Sequence, residues 1–417
     1  MYSFLLAIIY IAFISLGLPD SLLGAGWPVM QRDLDVPVSF AGIVTMIIAG
    51  GTILSSLASE RLTRRFGAGV VTAVSVGLTA GALLGFSASG SFWMLCGWAV
   101  PYGLGAGAVD AALNNYVALH YAARHMNWLH SFWGVGASIS PFIMSHALTA
   151  DLGWSSAYLV VGLGQSVLTL LLLITLPLWG RMDRLRPGGG PLAADAGKTD
   201  PGKTDAGKTD AGAPTAASED GTGPVGLVRA LRIPGVGLIL TAFFAYCAFE
   251  STSILWASTY LVADRGVSPA TAAAFASLFL LGITAGRFLA GFFADRIGDR
   301  MLIRGGFAAV AAGSALIALP LEADLPALVG LVIAGLGAAP VYPAIIHSTP
   351  ANFGPRSSQA IIGIQMAAAY TGSTLAPPAF GAIAEATGTG TLPLFLLVLV
   401  ALGLIMSERL NRVVGAA

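Results

Sequence analysis

Three carboxylic acids inside long apolar runs are the residues of this sequence best suited to chemistry: Asp20, Asp110 and Glu250. A carboxylate in hydrocarbon is costly, so such a residue normally faces the interior of a helix bundle or a watery cavity. Loss of water also favours the protonated form, so such an acid can bind and release a proton near neutral pH. We therefore predict that these three acids couple a cation and help to bind a polar solute.

Asp110 has the richest polar surroundings of the three. Asn114 follows it at i+4, which places both side chains on one face of a helix. A short polar loop comes next, and Asn127 and His130 then open another apolar run. Amides offer both donors and acceptors, which suits the hydroxyl groups of a solute. We predict that this helical hairpin lines a binding site and that the other helices pack around it.

More polar and aromatic side chains lie in other apolar runs, and Trp256 could stack on the apolar face of a sugar. Alternatives remain: the amides could form hydrogen bonds between helices, Asn127 could cap a helix, and Trp256 could be an anchor at the membrane interface. The predicted substrate site consists of Asp20, Asp110, Asn114, Asn115, Asn127, His130, Glu250, Trp256, His347 and Gln365.

A permanent ion pair is the alternative role for the acids. Arg287 is the one basic residue inside a predicted membrane span, so it could neutralise one of the three carboxylates. The sequence does not decide which one, and a single pair would leave two acids unexplained.

The composition is that of an integral membrane protein. Of the 417 residues, 56% are hydrophobic and 10% are charged, whereas soluble domains carry about 25% charged residues. The mean hydropathy is +0.79. The net charge of zero gives no basic field for nucleic acid, and both cysteines fall inside predicted spans, which argues against a structural disulfide or a metal cluster. The first apolar run lacks a basic leader and a cleavage site, so we predict a first span and not a signal peptide.

Twelve membrane-spanning helices are predicted, because each span needs about 20 apolar residues. The fold class is therefore all-α, with two six-helix bundles at 1–179 and 235–417 and a linker between them. The spans are 4–26, 38–59, 69–89, 92–119, 130–150, 155–178, 235–262, 270–293, 302–320, 326–347, 358–384 and 391–407.

Residues 180–234 are predicted to form a flexible, disordered linker, because they are rich in Gly, Pro, Asp and Lys. They contain the repeat AGKTD-PGKTD-AGKTD, so 202–209 matches the phosphate-loop pattern GxxxxGK[ST]. A true phosphate loop follows a buried strand and opens a helix. Neither is predicted here and the repeat alone generates the match, so we predict no nucleotide and no other cofactor.

Basic residues fix the predicted orientation, because cytoplasmic loops carry the excess of Lys and Arg. With the linker and Arg287 left out, ten basic residues lie on the side of the termini and two, Arg32 and Arg265, lie on the other. We predict that both termini and the linker are cytoplasmic, and that the protein resides in the plasma membrane.

The two halves repeat each other weakly in parallel. Segment 103–115 (GLGAGAVDAALNN) matches 335–347 (GLGAAPVYPAIIH), and a second match sets Asp20 opposite Glu250. Six plus six helices in a parallel repeat resemble the organisation of the major facilitator superfamily.

The segment GFFADRIGDR at 291–300 resembles the cytoplasmic signature of that superfamily, GxxxDxxGxR. Its copy in the first half, SLASERLTRRFG, is degraded. The resemblance implies a charge network that closes the cytoplasmic side; the alternative is a solvated basic loop that only sets topology. The predicted gate residues are Glu60, Arg61, Arg65, Gly291, Asp295, Arg296 and Arg300.

Within the superfamily, the chain is similar to the fucose–proton symporter group and its sodium–glucose transporter relatives. The resemblance is carried by GLPDS, GLGAGAVDAALNNYVA, NWLHSFWGVGASISP, FESTSILWASTYLV and GLGAAPVYPAIIH. It implies that an acid in the first helix and an acid in the fourth bind sugar and couple protons, which here would be Asp20 and Asp110. The fourth-helix acid of fucose permease is a glutamate; Asp110 is shorter, so fucose itself is not implied.

The predicted function is cation-coupled symport of a small polar solute, with the proton as the expected cation and a monosaccharide as the expected solute. Export of drugs or amphiphiles by proton antiport is the first alternative, and a transporter-like sensor that moves nothing is the second. No nucleophile–base pair and no metal-ligand spacing supports an enzyme. The expected partners are the solute, the coupling cation and the lipid bilayer, and the chain is expected to act as a monomer.

Overall fold

Fifteen α-helices make up the part of the chain that the structure, a computed structural model, describes: residues 2–37, 40–184, 226–319 and 323–415. No β-strand occurs in these ranges. The helices are α1 (Tyr2–Asp20), α2 (Leu22–Asp33), α3 (Ala41–Phe66), α4 (Ala68–Ser87), α5 (Phe92–His120), α6 (Ala123–Thr149), α7 (Trp154–Arg184), α8 (Leu227–Leu231), α9 (Val236–Ala263), α10 (Pro269–Ile297), α11 (Asp299–Ala318), α12 (Leu325–Ala338), α13 (Val341–Phe353), α14 (Pro355–Thr387) and α15 (Leu392–Gly415).

Each predicted span has a helical counterpart, and two spans are interrupted. The first consists of α1 and α2, which are separated at Ser21, just after Pro19. The tenth consists of α12 and α13, which are separated around Pro340. Proline lacks the backbone N–H and clashes with the preceding turn, so it weakens the helix at these points. Such breaks at membrane depth are tolerated where the backbone is buried in protein or faces a cavity.

Several helices extend past the ends of the spans predicted from hydropathy, and some of these differences change an interpretation. Helix α6 begins at Ala123 instead of residue 130, so Asn127 lies inside the helix and does not cap it. Helix α7 continues to Arg184, and α8 lies inside the predicted linker. At the beginning of α6 and at the end of α7, the helix continues into polar sequence. Polar residues need not end a helix that projects beyond the hydrocarbon. The rest of the predicted linker, 185–225, lies outside the described residues.

Helices α6 and α14 differ from the other membrane helices in composition. Ten helical segments of the described chain are both long and apolar enough to cross a membrane, and these two are not among them. They contain 27 and 33 residues, and at about 1.5 Å per residue each is long enough to cross. Both pack between other helices: α6 against α1 and α10, and α14 against α9 and α3. Polar residues well inside both helices, such as His130 and Gln365, are buried against protein, which contributes to the low hydropathy.

The helices pack as two sets, α1–α7 and α9–α15. Most contact between the sets comes from two pairs of helices, α3 with α14 and α6 with α10. We call the membrane face at which α3, α5 and α7 end the linker side, and the opposite face the far side. The exact domain limits at 179/180 and 234/235 stay a prediction.

Helices α1 and α6 approach closely through two glycines. A Cβ on Gly136 would collide with the carbonyl oxygen of Ile14, and a Cβ on Gly17 would collide with that of Trp133. Small residues allow such backbone contact between membrane helices. The close approach also brings the far-side end of α1, and with it Asp20, against α6.

Candidate functional site

Asp110 accepts hydrogen bonds from both halves of the molecule. Asn114, one turn along α5, donates from Nδ2 to Oδ1 of Asp110 at 2.7 Å. Tyr370 on α14 donates its hydroxyl to Oδ2 at 2.8 Å. Asp110 therefore has neutral donors on both carboxylate oxygens and makes no ion pair within the described chain.

The network extends from Asn114 to His130 on α6. The two side chains are joined at 3.0 Å, between Oδ1 of Asn114 and Nε2 of His130. Because the amide NH₂ is used toward Asp110, Nε2 of His130 must be the donor. The imidazole lies edge-on to Phe13 and to Tyr342, the latter from the second half. The predicted grouping of Asp110, Asn114 and His130 is thus present in the structure.

Asp20 forms a second site at the end of α1. Its Oδ2 accepts from Nε1 of Trp133 at 2.9 Å, and its Oδ1 accepts from the hydroxyl of Tyr102 at 3.3 Å. Asp20 is exposed, and its charge acts on Asp110 and on Tyr370 of the second half. Like Asp110, it has neutral donors.

Glu250 differs from the other two acids because it is paired with Arg287. The Nη2 atom of Arg287 lies 3.4 Å from Oε1 of Glu250, and the same guanidinium contacts the hydroxyl of Tyr246 and the carbonyl of Ala339. Arg287 is buried, at 3% exposure. The partner of the one membrane-embedded arginine, which the sequence left open, is thus Glu250.

Two predicted substrate ligands lie instead in a layer that joins the halves on the linker side. Asn115 accepts from the hydroxyl of Ser358 on α14 at 2.6 Å. His347 on α13 binds Oδ2 of Asp299 through Nδ1 at 2.7 Å and the carbonyl of Tyr121 through Nε2 at 3.2 Å. The carbonyl of Tyr121 can only accept, so Nε2 of His347 is the donor in that bond. Asn115 and His347 occupy matching positions in the internal repeat, and each of them forms a hydrogen bond with the other half of the molecule.

The signature segment adds a second contact of this kind. Asp295 accepts from the backbone N–H of Arg124 at 3.0 Å and lies 3.4 Å from its guanidinium. Gly291 faces the indole of Trp128, which donates to the carbonyl of Phe288 at 3.2 Å. A side chain at Gly291 would collide with that indole. These contacts connect α10 with the beginning of α6, and the gating role of the segment stays a prediction.

The other predicted gate residues do not join this contact. Glu60 pairs with Arg64 of its own helix at 3.4 Å. The contact between the halves near Glu60 is made by Ser59, which accepts from the amide of Gln359 at 3.1 Å. The remaining gate arginines form no ion pair in the described ranges; they are Arg61, Arg65, Arg296 and Arg300.

Three further predicted ligands have hydrogen-bond partners other than the acids. Gln365 is fully buried and accepts from Thr349 of its own half. Asn127 is buried and donates to the carbonyl of Ala123. Trp256 donates to the carbonyl of Pro377 at 3.0 Å and packs edge-on against Phe380. The described structure gives each of them a partner within its own half and does not bring it to Asp20 or Asp110.

Sequence reasoning missed Tyr370 and Tyr102, the two hydroxyl donors to the acids. Each is a lone tyrosine among small apolar residues. The only available signal was the general need of a buried tyrosine hydroxyl for a partner, and that need does not identify the partner.

Comparison with known proteins places these features in a family. The model of the Major Facilitator Superfamily matches residues 9–233 and 238–412. Bypass of stop codon protein 6 of Saccharomyces cerevisiae is 23% identical over 292 residues, which cover 69% of this chain and 56% of the yeast protein. The chain thus spans little more than half of that relative.

Two other proteins are similar over more of their length. The 4-hydroxybenzoate transporter of Acinetobacter baylyi is 25% identical over 347 residues, 81% of this chain and 75% of the relative. The crystal structure of the fucose:proton symporter of Escherichia coli superposes with a TM-score of 0.73 at 15% identity, and the match covers 98% of this chain and 99% of that one. This superposition supports the twelve-helix fold.

Proposed function

Since this chain belongs to the major facilitator superfamily, and is therefore a multi-pass membrane transporter and not an enzyme, we propose that it is a proton-coupled symporter of a small neutral polar solute. By its chemistry, the proposed solute class is a monosaccharide. The cycle is alternating access, in which a cleft between the two halves opens to one side of the membrane at a time.

One observation carries the proposal of proton coupling: Asp110, which is bonded across the two halves, and Asp20 have only neutral donors as hydrogen-bond partners among the described residues. A carboxylate without a cationic partner can change its protonation state without leaving a buried countercharge behind. Glu250 lacks this freedom, because Arg287 lies beside it. Asp110 and Asp20 are therefore the proposed coupling acids, and Glu250 has the weaker case.

Charge around the cleft supports a neutral solute over an anionic one. Asp20, Asp110 and Glu250 bring three acids against one base, Arg287, which Glu250 already neutralises. An organic anion would thus meet like charges and no free cation among these residues, which is unfavourable. Carboxylates, the amide of Asn114 and the indole of Trp133 instead offer hydroxyl groups both acceptors and donors. The fucose:proton symporter that shares the fold transports such a solute.

The contacts between Asp295 and Arg124, His347 and Tyr121, and Asn115 and Ser358 support assigning the structure to a state closed on the linker side. We assign the linker side to the cytoplasm, so that the cleft opens outward from the plasma membrane. The single chain supplies both walls of the cleft, which supports function as a monomer. Breaking the layer on the linker side would open the cleft to the cytoplasm.

A thermal-shift screen of the purified protein tests the class of solute. A ligand that binds only the folded state raises apparent stability by mass action. We expect stabilisation by one or a few monosaccharides, and we expect the same solute to accumulate in proteoliposomes when the outside is made acidic. Hydroxybenzoates and cationic amphiphiles are tested in the same screen for comparison. Stabilisation by those compounds and by no sugar would replace the proposal with organic-acid transport or drug export.

The orientation is tested with a reporter enzyme fused after residue 417 that is active only outside the cytoplasm. Ten basic residues on the linker side against two on the far side predict that the fusion stays inactive. The same reporter inserted in the far-side turn between α6 and α7, next to Asp151, is the positive control and should be active. Activity of the fusion after residue 417 would reverse the assigned orientation.

A further inference from the structure

We propose that Tyr370 is the positioning residue that links the protonation of Asp110 to the relative position of the two halves. The inference rests on the proposed proton coupling and adds to it the group through which the second half senses the proton. Asp110 belongs to α5 in the first half and Tyr370 to α14 in the second, and their hydrogen bond of 2.8 Å crosses the cleft.

The two hydrogen bonds of Asp110 have different consequences for movement. Asn114 is on the same helix as Asp110, so its bond to Oδ1 moves with the acid whatever the halves do. The hydroxyl of Tyr370 approaches Oδ2 from the other half, so that bond exists only in one arrangement of the halves. A side-chain contact at about 3.6 Å is no longer a hydrogen bond, and a relative movement of roughly 1 Å would therefore remove it.

Protonation changes the strength of the bond between the halves. A hydrogen bond to an ionised carboxylate is about twice as strong as one between neutral groups. The ionised form of Asp110 thus stabilises the state closed on the linker side through Tyr370. A proton on Asp110 removes the charge and weakens this link, so the halves are freer to open on the linker side. An empty, deprotonated carrier is consequently held facing the far side, where it can bind the next proton.

Other titratable and charged groups face Asp110 as well. The charge of Asp20 on α1 acts on it, and its own charge acts on Cys247 of α9 and Tyr342 of α13. His130 on α6 is joined to it through Asn114. Among these groups and its two donors, Tyr370 is the one that bonds to the carboxylate directly from the second half.

The distance between the halves on the linker side gives a test that needs no identified solute. Spin labels on Phe66→Cys and Ile297→Cys report that distance; both positions are exposed, at 50% and 48%, and the native cysteines are buried. We expect the full-length protein in liposomes to shift toward longer distances between about pH 8.5 and about pH 5.5, the range in which a desolvated carboxylic acid titrates. With Tyr370→Phe, we expect most of this pH response to be lost and the long-distance population to be raised already at the higher pH.

Two other variants make the result specific. Asp110→Asn, which cannot ionise, should give the same pH-independent distribution as Tyr370→Phe. Tyr260→Phe removes a different buried hydroxyl, bonded to the carbonyl of Ile317 within the second half, and should keep the response of the wild-type protein. An unchanged pH response in Tyr370→Phe would overturn the inference, as would an absent response in the wild-type protein.

The proposed function has a separate readout, accumulation of solute in response to a pH gradient. The wild-type protein could accumulate solute while the change in distance between the spin labels persists in Tyr370→Phe. That result would contradict the role of Tyr370 and leave proton coupling intact. If the wild-type protein shows no gradient-driven accumulation of any stabilising solute, proton coupling itself is wrong.

Discussion

Asp110→Asn is expected to abolish accumulation of solute against a gradient while leaving exchange of solute across the membrane intact. A gradient of one pH unit is equivalent to about 1.4 kcal/mol per proton and can support about tenfold accumulation through one-proton symport. The variant should show a ratio near one, because it has no proton to bind or release. Exchange does not require release of the proton and should continue.

The variant should also fold normally, which makes its kinetic defect interpretable. The introduced amide can accept from Asn114 through its oxygen and donate to the hydroxyl of Tyr370 through its NH₂, so both contacts of Asp110 survive. Asp110→Ala removes both contacts and should weaken solute binding as well.

Asp33→Asn is the matched control for this experiment. Asp33 also accepts from a neutral donor, Nε1 of Trp154 at 2.9 Å, but it lies at the far-side end of α2. The control should accumulate solute like the wild-type protein. The measurements are solute uptake into liposomes driven by a pH gradient and thermal stability in detergent. Together they distinguish a loss of coupling from a loss of folding. Wild-type accumulation by Asp110→Asn at normal stability would remove Asp110 from the coupling mechanism and leave Asp20.

Loss of either partner of the Glu250–Arg287 pair is expected to reduce the free energy of unfolding strongly. Both side chains are largely buried, with 15% and 4% of their surfaces exposed. Removing one partner leaves a buried charge uncompensated, which costs about 3–5 kcal/mol. Arg287→Met and Glu250→Gln should therefore each lower the thermal midpoint in detergent, and the double variant should recover part of the loss.

An exposed ion pair in the same half provides the control. Arg304 and Glu408 form two hydrogen bonds of 2.7 Å, with 51% and 32% of their side chains exposed. Solvent screens such a pair, so Arg304→Met should leave the thermal midpoint close to that of the wild-type protein. Wild-type stability in Glu250→Gln would refute the structural role of the pair. Glu250 would then rejoin Asp20 and Asp110 as a coupling candidate.

The sequence alone was sufficient for the membrane class, the twelve spans, the family resemblance and the acids around which the site is built. These properties depend on the free-energy cost of placing polar groups in hydrocarbon. That cost limits the composition of each span separately, so it can be recognised in the local sequence. The grouping of Asp110, Asn114 and His130 was also predictable, because two of these residues share a helix face and the third follows after a short turn. The beginning of α6 was missed for the same reason, since hydropathy marks where the hydrocarbon starts and not where a helix starts.

Tertiary structure decided which groups meet across helices. It paired Arg287 with Glu250, gave Asp110 a tyrosine from the second half, and placed Asn115 and His347 in the layer that joins the halves on the linker side. A periodic pattern tells which face of a helix leaves the lipid, but the partner on the neighbouring helix depends on the rotation and depth of that neighbour. In this protein those are set by backbone contacts such as that of Gly136 with Ile14, and nothing in the local sequence of either helix specifies the register of the other.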